Sequence, residues 1–400
     1  MGRKTALIFK IINKWTAAGI ILIIIASAVC PLICYGQEGG GGLSVSAKGA
    51  VLIDGKTGTV LFESNSHEEL PPASVTKIMS MLLVLEAEDR GQISMDDIVT
   101  VSERAAEMGG SQMFMEPGET HTVEELLKGA AMASANDACV ALAEYVAGSE
   151  EAFVDMMNSR AEELGMVNTH FENTNGLPVA GHFSSAYDIS MMSKELMKHD
   201  EIKEWLVTWM DTVKVGLEGK QKEFGLTNTN KLIRQYTGAT GIKTGYTADA
   251  KFCLSGSAKR GNLELIGVIL GAETSDIRFS EMKAMLDYGF ALYDSVNIGD
   301  EGLSVGTSSV EKGSKDYVNG ILPEDISILI KKEEKQQISQ DIFMEERVTA
   351  PVKKGDKLGE IRIFKNGEII ETHDIVAETD VDRWGIFEVI RDMVGFSFKK

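Results

Sequence analysis

Cysteine is scarce. Only four occur in 400 residues, and two of them, Cys30 and Cys34, lie in an N-terminal apolar stretch. The two in the body, Cys139 and Cys253, cannot make a disulfide framework. One sits on a helical face and the other on a strand-like face, the pattern of two buried thiols. The six histidines are scattered, and no His-x3-His or CxxC spacing occurs, so no metal or other cofactor is expected. Long hydrophobic runs are absent after residue 36, which excludes a polytopic membrane protein. Positive charge is also short: 40 Lys and Arg face 60 Asp and Glu, for a net charge of -20. The first 36 residues hold Arg3, Lys4, Lys10 and Lys14 and no acid, leaving the remainder at -24. A body that acidic repels phosphates, and nucleic acid is not an expected partner. What is present is ordinary globular chemistry, 44% apolar and 25% charged, in a chain too long for one compact domain.

The four basic residues precede an apolar run from Ala17 to Cys34, followed by small residues. That order is the order of an export signal, expected over 1–36. The run is also long enough to serve as an uncleaved anchor. Ile33 stands before Cys34 where a lipoprotein site wants a small residue. Either way the body lies outside the cytoplasm. Residues 37–47, with four successive glycines, read as a linker.

Two apolar runs around Asp54-Gly55-Lys56-Thr57-Gly58 predict a hairpin over 48–63. After Pro71-Pro72, helical spacing from Ser74 predicts a buried helix ending near Gly91. Residues 95–200 read as mostly helical, with a capping box at Thr122-x-x-Glu125, an Ala-rich helix from Ala135 and a cap at Ser185-x-x-Asp188. Beyond about 225, GIKTGYT, KFCLSGSAKR and LELIGVILGA are β-rich, and a helix follows over about 276–293. Strands at both ends and helices between them predict an α+β domain over 48–296: an antiparallel sheet flanked by helices, with an inserted helical subdomain. Residues 297–381 alternate as short strands, with an Asn366-Gly367 hairpin turn, and predict a small β-rich domain. Residues 382–400 place Trp384, Phe387, Ile390, Met393 and Val394 on one helical face before Lys399-Lys400. That is the pattern of an amphipathic helix lying on a membrane, here the outer face of the cytoplasmic membrane.

Three short motifs follow one another: Ser74-Val75-Thr76-Lys77, Ser134-Ala135-Asn136 and Lys243-Thr244-Gly245. Each occurs too easily to mean much alone. Indeed S-x-x-K recurs at Ser309–Lys312 and K-T-G at Lys56–Gly58. The first copies have a context the second copies lack: a helix start, the start of an Ala-rich helix, and an edge strand. Ser and Lys three apart share a helical face. A serine hydroxyl needs a base beside it, and lysine serves only if burial or a nearby cation such as Lys243 depresses its pKa. A serine in a first helical turn has a free N–H for half of an oxyanion hole, with the other donor near Tyr246. Ser134 can relay a proton, Asn136 can hold an amide, Lys243 and Thr244 can grip a carboxylate, and Gly245 lets an extended substrate lie along the strand.

Taken together, these motifs resemble the penicillin-recognising acyl-serine enzymes. The closer resemblance is to the low-molecular-mass penicillin-binding proteins, the serine-type D-alanyl-D-alanine carboxypeptidases. PPASVTKIM, ASANDACVALAE, NTNGLP, HFSSAYD, GIKTGYT, GAETSDIRF and KKGDKLGEI carry it across roughly 46–380. The resemblance implies Ser74 as nucleophile, Lys77 as base, and Ser134, Asn136, Lys243, Thr244 and Gly245 as the rest of the cleft. It also implies the Tyr246 N–H as an oxyanion donor and Arg278 near the substrate's terminal carboxylate. Tyr246 stands where some members have histidine. The implied partners are peptidoglycan stem peptides ending in D-Ala-D-Ala, and β-lactams that acylate the same serine.

Two other readings stay open. A class A β-lactamase would share the motifs, but no E-x-x-L-N segment supplies a water-activating glutamate, and the β-rich domain would be superfluous. A penicillin-binding sensor without turnover would have the same residues.

Overall fold

The structure, a computed structural model, describes residues 43–385. The expected export segment lies outside the described residues, as does most of the expected terminal helix. Residues 382–385 are described and are not helical: Arg383 bridges Gly313, and the Trp384 N–H donates to the Lys312 carbonyl at 2.9 Å. Backbone pairing with the β-rich region wins there over helical periodicity. No helix among the described residues is long and apolar enough to cross a membrane.

The sheet begins with β1 (Gly49–Asp54) and β2 (Val60–Ser64), the expected hairpin. A 3-10 turn, Ala73–Thr76, leads into α1 (Lys77–Asp89), whose first nine residues are all buried. A short hairpin, β3 (Ile98–Thr100) and β4 (Thr120–Thr122), brackets a loop, and α2 (Val123–Lys128) starts at the Thr122–Glu125 capping box. Then come α3 (Asn136–Ala147), α4 (Glu150–Glu163), α5 (Ala186–Leu196), capped by Ser185, and α6 (Asp200–Val207). A second hairpin, β5 (Met210–Val215) and β6 (Lys222–Thr227), was not legible in the sequence. Only Val213 and Leu226 of its strands are buried, so alternation is too sparse to read.

β7 (Ala239–Thr247), β8 (Lys251–Arg260) and β9 (Leu263–Ala272) complete a five-stranded antiparallel sheet in the order β2-β1-β9-β8-β7. β7 is therefore an edge strand. α7 (Ser275–Leu292) packs on one face: Met282 fits the trough left by Gly256 and Gly267, which face each other across β8 and β9. α5 packs on the other face, where the Ser193 hydroxyl meets Ser255, one residue from Gly256, at 2.8 Å. Alternate strand residues point to opposite faces, so both faces are covered, and the middle of β8 and nearly all of β9 are buried.

β10 (Tyr293–Gly299) follows α7 directly and pairs with β13 (Ile326–Lys331). The rest of the β-rich region is a six-stranded sheet built from β11 (Ser304–Glu311), β12 (Tyr317–Ile321), β14 (Ile338–Met344), β15 (Arg347–Thr349), β16 (Lys357–Lys365) and β17 (Glu368–Ala377). Asn366 and Gly367 take φ of 54° and 83° in the expected hairpin turn. Ile328, Ile330, Ile361, Ile363 and Ile375 form one core of this region. The fold is α+β, as the strand–helix–strand order predicts.

Candidate active site

The three motifs converge. Ser74 lies in the 3-10 turn, and its Oγ is 3.1 Å from Lys77 Nζ at the first residue of α1. The same amine donates to Asn136 Oδ1 at 2.6 Å and to the Asn175 carbonyl at 2.7 Å. Lys77 is fully buried. Burial pushes its ammonium down from 10.5 to about 8, against a smaller opposing pull from Cys139 and Asp137. Of the two causes open from the sequence, burial and a nearby cation, burial is the first cause of that shift.

Ser134 sits between two helical segments with φ 62° and ψ 33°, and Ala135 is extended before Asn136 opens α3. The Asn136 N–H donates to the Ser111 carbonyl at 2.7 Å, and Nδ2 donates to the Gly109 carbonyl at 2.6 Å. One Nδ2 hydrogen remains. Asp137 is buried and accepts from the Met113 N–H at 2.9 Å and the Met115 N–H at 3.4 Å, pinning the same loop. Burial raises its carboxyl, while those N–H groups pull it back.

β7 brings the third motif. Lys243 is buried, and its amine has one long contact, the Thr244 carbonyl at 3.4 Å. Its pKa falls well below the usual lysine value, first through burial and then through the charge of Lys77. Thr244 Oγ1 meets Thr229 Oγ1 at 2.7 Å. Gly245 serves a second purpose beside substrate access: a Cβ there would lie 2.9 Å from the Pro72 carbonyl and 3.0 Å from Ser74 N. Only glycine lets the edge strand abut the Ser74 turn. Tyr246 is 57% exposed and stacks on Phe252 with ring centroids 4.5 Å apart.

Arg278 is buried beneath the strand and not on the surface. Its Nη1 donates to the carbonyls of Gly245 at 3.2 Å and Cys253 at 3.0 Å, and burial pushes it down to about 10. Cys139 and Cys253 are buried free thiols. The other two motif copies stay away from the site: Lys56–Gly58 is the β1–β2 turn, and Ser309 lies in β11.

Sequence reasoning gave no role to Asn175, Thr229 or Asp137. Asn175 acts through its backbone carbonyl, which leaves no side-chain signature. The turn that carries it is fixed by Asn173 Oδ1, which accepts from the Gly176 N–H at 2.7 Å. Gly176, at φ +86°, packs on the nucleophile's turn so closely that a Cβ would meet the Ala73 carbonyl at 1.9 Å.

Among the described residues no carboxylate forms an ion pair with Lys77, Lys243 or Arg278. Three buried basic groups thus lie close together without a salt-bridged partner, the Asp137 charge reaching Lys77 only at longer range.

Residues 37–274 match the sequence profile of the D-alanyl-D-alanine carboxypeptidase family, and residues 293–383 match the C-terminal domain of penicillin-binding protein 5. The chain is 45% identical to the D-alanyl-D-alanine carboxypeptidase DacF of Bacillus subtilis, over 88% of this chain and 90% of that protein. It is 36% identical to DacC of Escherichia coli, over 89% of each. Among solved structures, penicillin binding protein 5 of Haemophilus influenzae superposes with a TM-score of 0.68 at 28% identity, over 86% of this chain and 99% of that one. Penicillin binding protein 6B of Escherichia coli gives 0.65 at 30% identity, over 84% and 96%. With the Ser74–Lys77 pair, the Asn136 contact and the Lys243 strand in one cleft, the chain belongs to the D-alanyl-D-alanine carboxypeptidase family.

Proposed function

We infer that the chain is a serine carboxypeptidase that removes the terminal D-alanine from peptidoglycan stem peptides through an acyl-Ser74 intermediate. One observation carries this reading. Lys77 Nζ has two partners that can only accept, Asn136 Oδ1 and the Asn175 carbonyl. A neutral amine spends its two hydrogens on them, and its lone pair is left for the Ser74 hydroxyl.

Lys77 takes the Ser74 proton as Oγ attacks the carbonyl of the penultimate D-alanine. The N–H groups of Ser74 and Tyr246 hold the resulting oxyanion. Ser134 passes a proton to the leaving amine, and the second Nδ2 hydrogen of Asn136 holds the substrate amide. The leaving carboxylate supplies the counter-charge the cleft lacks, held by Lys243 and Thr244 with Arg278 behind them. Water then releases the acyl group. β-Lactams enter by the same attack and leave Ser74 acylated.

The basic-then-apolar N-terminus supports export, with 1–36 as the signal and 37–47 as a linker. The body reads as a peptidase domain over 48–296 and a β-rich domain over 297–381. Residues beyond 385 carry the apolar face that would rest on the outer face of the cytoplasmic membrane. Incubation of purified protein with a D-Ala-D-Ala peptide and with penicillin tests the activity. Free D-alanine and a long-lived penicilloyl-enzyme are expected; rapid penicillin turnover without D-alanine release would favour a β-lactamase.

A further inference from the structure

One of the two acceptors that hold the Lys77 amine, the Asn175 carbonyl, belongs to a loop. Bonds inside that loop give it shape. Asn173 Oδ1 accepts the Gly176 N–H at 2.7 Å, and Asn175 Oδ1 accepts the Leu177 N–H at 3.0 Å. They do not fix where the loop sits on the protein. Its place is set at Thr174, which is fully buried. The Thr174 carbonyl accepts from the Ser80 hydroxyl, one turn along α1 from Lys77. From the other side, Glu150 Oε1 accepts the Thr174 hydroxyl at 2.9 Å and the Thr174 N–H at 3.3 Å.

Glu150 opens α4 and is 5% exposed. Its second oxygen accepts from Arg104 Nη2 at 2.7 Å. Only a group that accepts at both ends can serve Arg104 and Thr174 together. A glutamine would turn its amide hydrogens toward one of them. An acid at a helix start also meets the positive end of the helix dipole. Glu151 supplies that charge as well, but it is exposed, pairs with the same arginine and does not touch Thr174. The dipole therefore accounts for neither the burial of Glu150 nor its bonds to Thr174. Arg104 stands five residues before Gly109, whose carbonyl holds Asn136 Nδ2. The Arg104–Glu150 pair thus ties the segment that steadies Asn136 to the loop that carries Asn175.

We propose that Glu150 is a positioning residue for the base: through Thr174 it keeps the Asn175 carbonyl on the Lys77 amine. The inference rests on the carboxypeptidase reading, in which Lys77 takes the Ser74 proton. If Thr174 shifts, the carbonyl leaves the amine, and the lone pair is no longer held toward Ser74. The same loss removes an acceptor that favours the charged form, so the amine titrates lower still. Asp137 and Cys139 from α3 and Lys243 from β7 are the other ionisable groups that act on Lys77, and none of them bonds to Glu150 or Thr174.

The test measures the rate of acylation by fluorescent penicillin between pH 6 and 10, per folded protein, in the full chain. Glu150→Gln should be at least about tenfold slower at its plateau, with the midpoint of the profile below that of the unsubstituted protein. Removing a carboxylate also lowers that midpoint through charge, so Thr174→Val decides. It keeps the shape and every charge and loses one hydrogen bond. It should be at least about threefold slower, again with a lower midpoint. Thr174→Ser, which keeps the hydroxyl, and Glu151→Gln should match the unsubstituted protein. A Thr174→Val protein no slower than Thr174→Ser, or with an unmoved midpoint, would overturn the proposal whether or not Glu150→Gln folds, and would leave the carboxypeptidase reading intact. An unsubstituted protein that penicillin does not acylate would instead defeat that reading.

Discussion

The Lys77 amine lies 2.7 Å from the carbonyl oxygen of Asn175, a residue 98 positions further along the chain. That contact joins α1 to the loop that packs on the Ser74 turn. A carbonyl oxygen cannot donate, so it fixes where the amine's hydrogens go and, by subtraction, where its lone pair points. The same loop presses Gly176 onto the Ala73 carbonyl. The orientation of the Lys77 amine and the position of the Ser74 turn are therefore set by one short stretch, 173–178.

Ser74→Ala should abolish both D-alanine release and covalent labelling by fluorescent penicillin. Ser309→Ala should leave both intact, because Ser309 is an exposed strand residue whose hydroxyl only meets the Glu346 carbonyl at 2.8 Å. A labelled band from Ser74→Ala protein on a denaturing gel would refute the mechanism.

The pH profile follows from Lys77. Its pKa is lowered to about 8, and a base must be neutral to act. At pH 7 roughly one molecule in ten has the neutral amine. Acylation by penicillin should rise with pH and level off above about 8. Lys77→Arg keeps the charge but cannot lose its proton, so acylation should be at least about a hundredfold slower, the low end of general-base contributions. A flat profile between pH 6 and 9 would remove Lys77 as the base.

The same burial has a cost in stability. The folded amine titrates near 8 and the unfolded one near 10.5, so the unfolded chain holds this proton more tightly. The penalty is complete below pH 8 and is lost as pH rises to 10.5. Relative to Lys77→Met, the unsubstituted protein should therefore gain about 3 kcal/mol between pH 7 and pH 10.5. Urea unfolding of both proteins at the two pH values measures the change. A stability difference independent of pH would mean that the folded lysine is not depressed.

Much of this site is legible in the sequence alone. Ser74, Lys77, Ser134, Asn136 and Lys243 are marked by motif order and by the helix starts around them, and the structure brings Lys77 against Ser74 and Asn136, with Lys243 near enough to feel its charge. The sheet was legible too, because GIKTGYT, KFCLSGSAKR and LELIGVILGA are short β-rich runs, the last two separated by the Arg260-Gly261-Asn262 turn. Backbone contributions were not. The Asn175 carbonyl has no side-chain signature, and the packing reason for Gly245 depends on Pro72 and Ser74, some 170 residues away. The depth of Arg278 was also hidden, since its position on α7 does not reveal which carbonyls lie beneath it. The β5–β6 hairpin escaped because two exposed strands with one buried residue each carry almost no periodic signal.

Gly176→Ala tests the loop. A Cβ there would clash with the Ala73 carbonyl at 1.9 Å, in a backbone at φ +86°. Gly91, at φ +67° with nothing within 4 Å, is the control. Gly91→Ala should lose only the left-handed cost of about 1–2 kcal/mol. Gly176→Ala should lose more and should also slow acylation by the remaining folded protein. If both substitutions lowered the melting temperature equally and left acylation unchanged, the loop would not position Ser74.

Arg278 distinguishes recognition from scaffolding. Its Nη1 already bonds the Gly245 and Cys253 carbonyls, so removing it loosens the strand for every substrate. Its charge adds a second effect that only a free carboxylate feels. Arg278→Ala should therefore slow release from the free-acid peptide more than from the C-terminal amide. The extra loss should be about 1.5 to 3 kcal/mol, typical of a hydrogen bond to a charged group. Comparing kcat/KM on both peptides cancels the loosening common to them. Equal losses on acid and amide would show that Arg278 serves the cleft by holding Gly245 in place, and that Lys243 and Thr244 read the chain end without it.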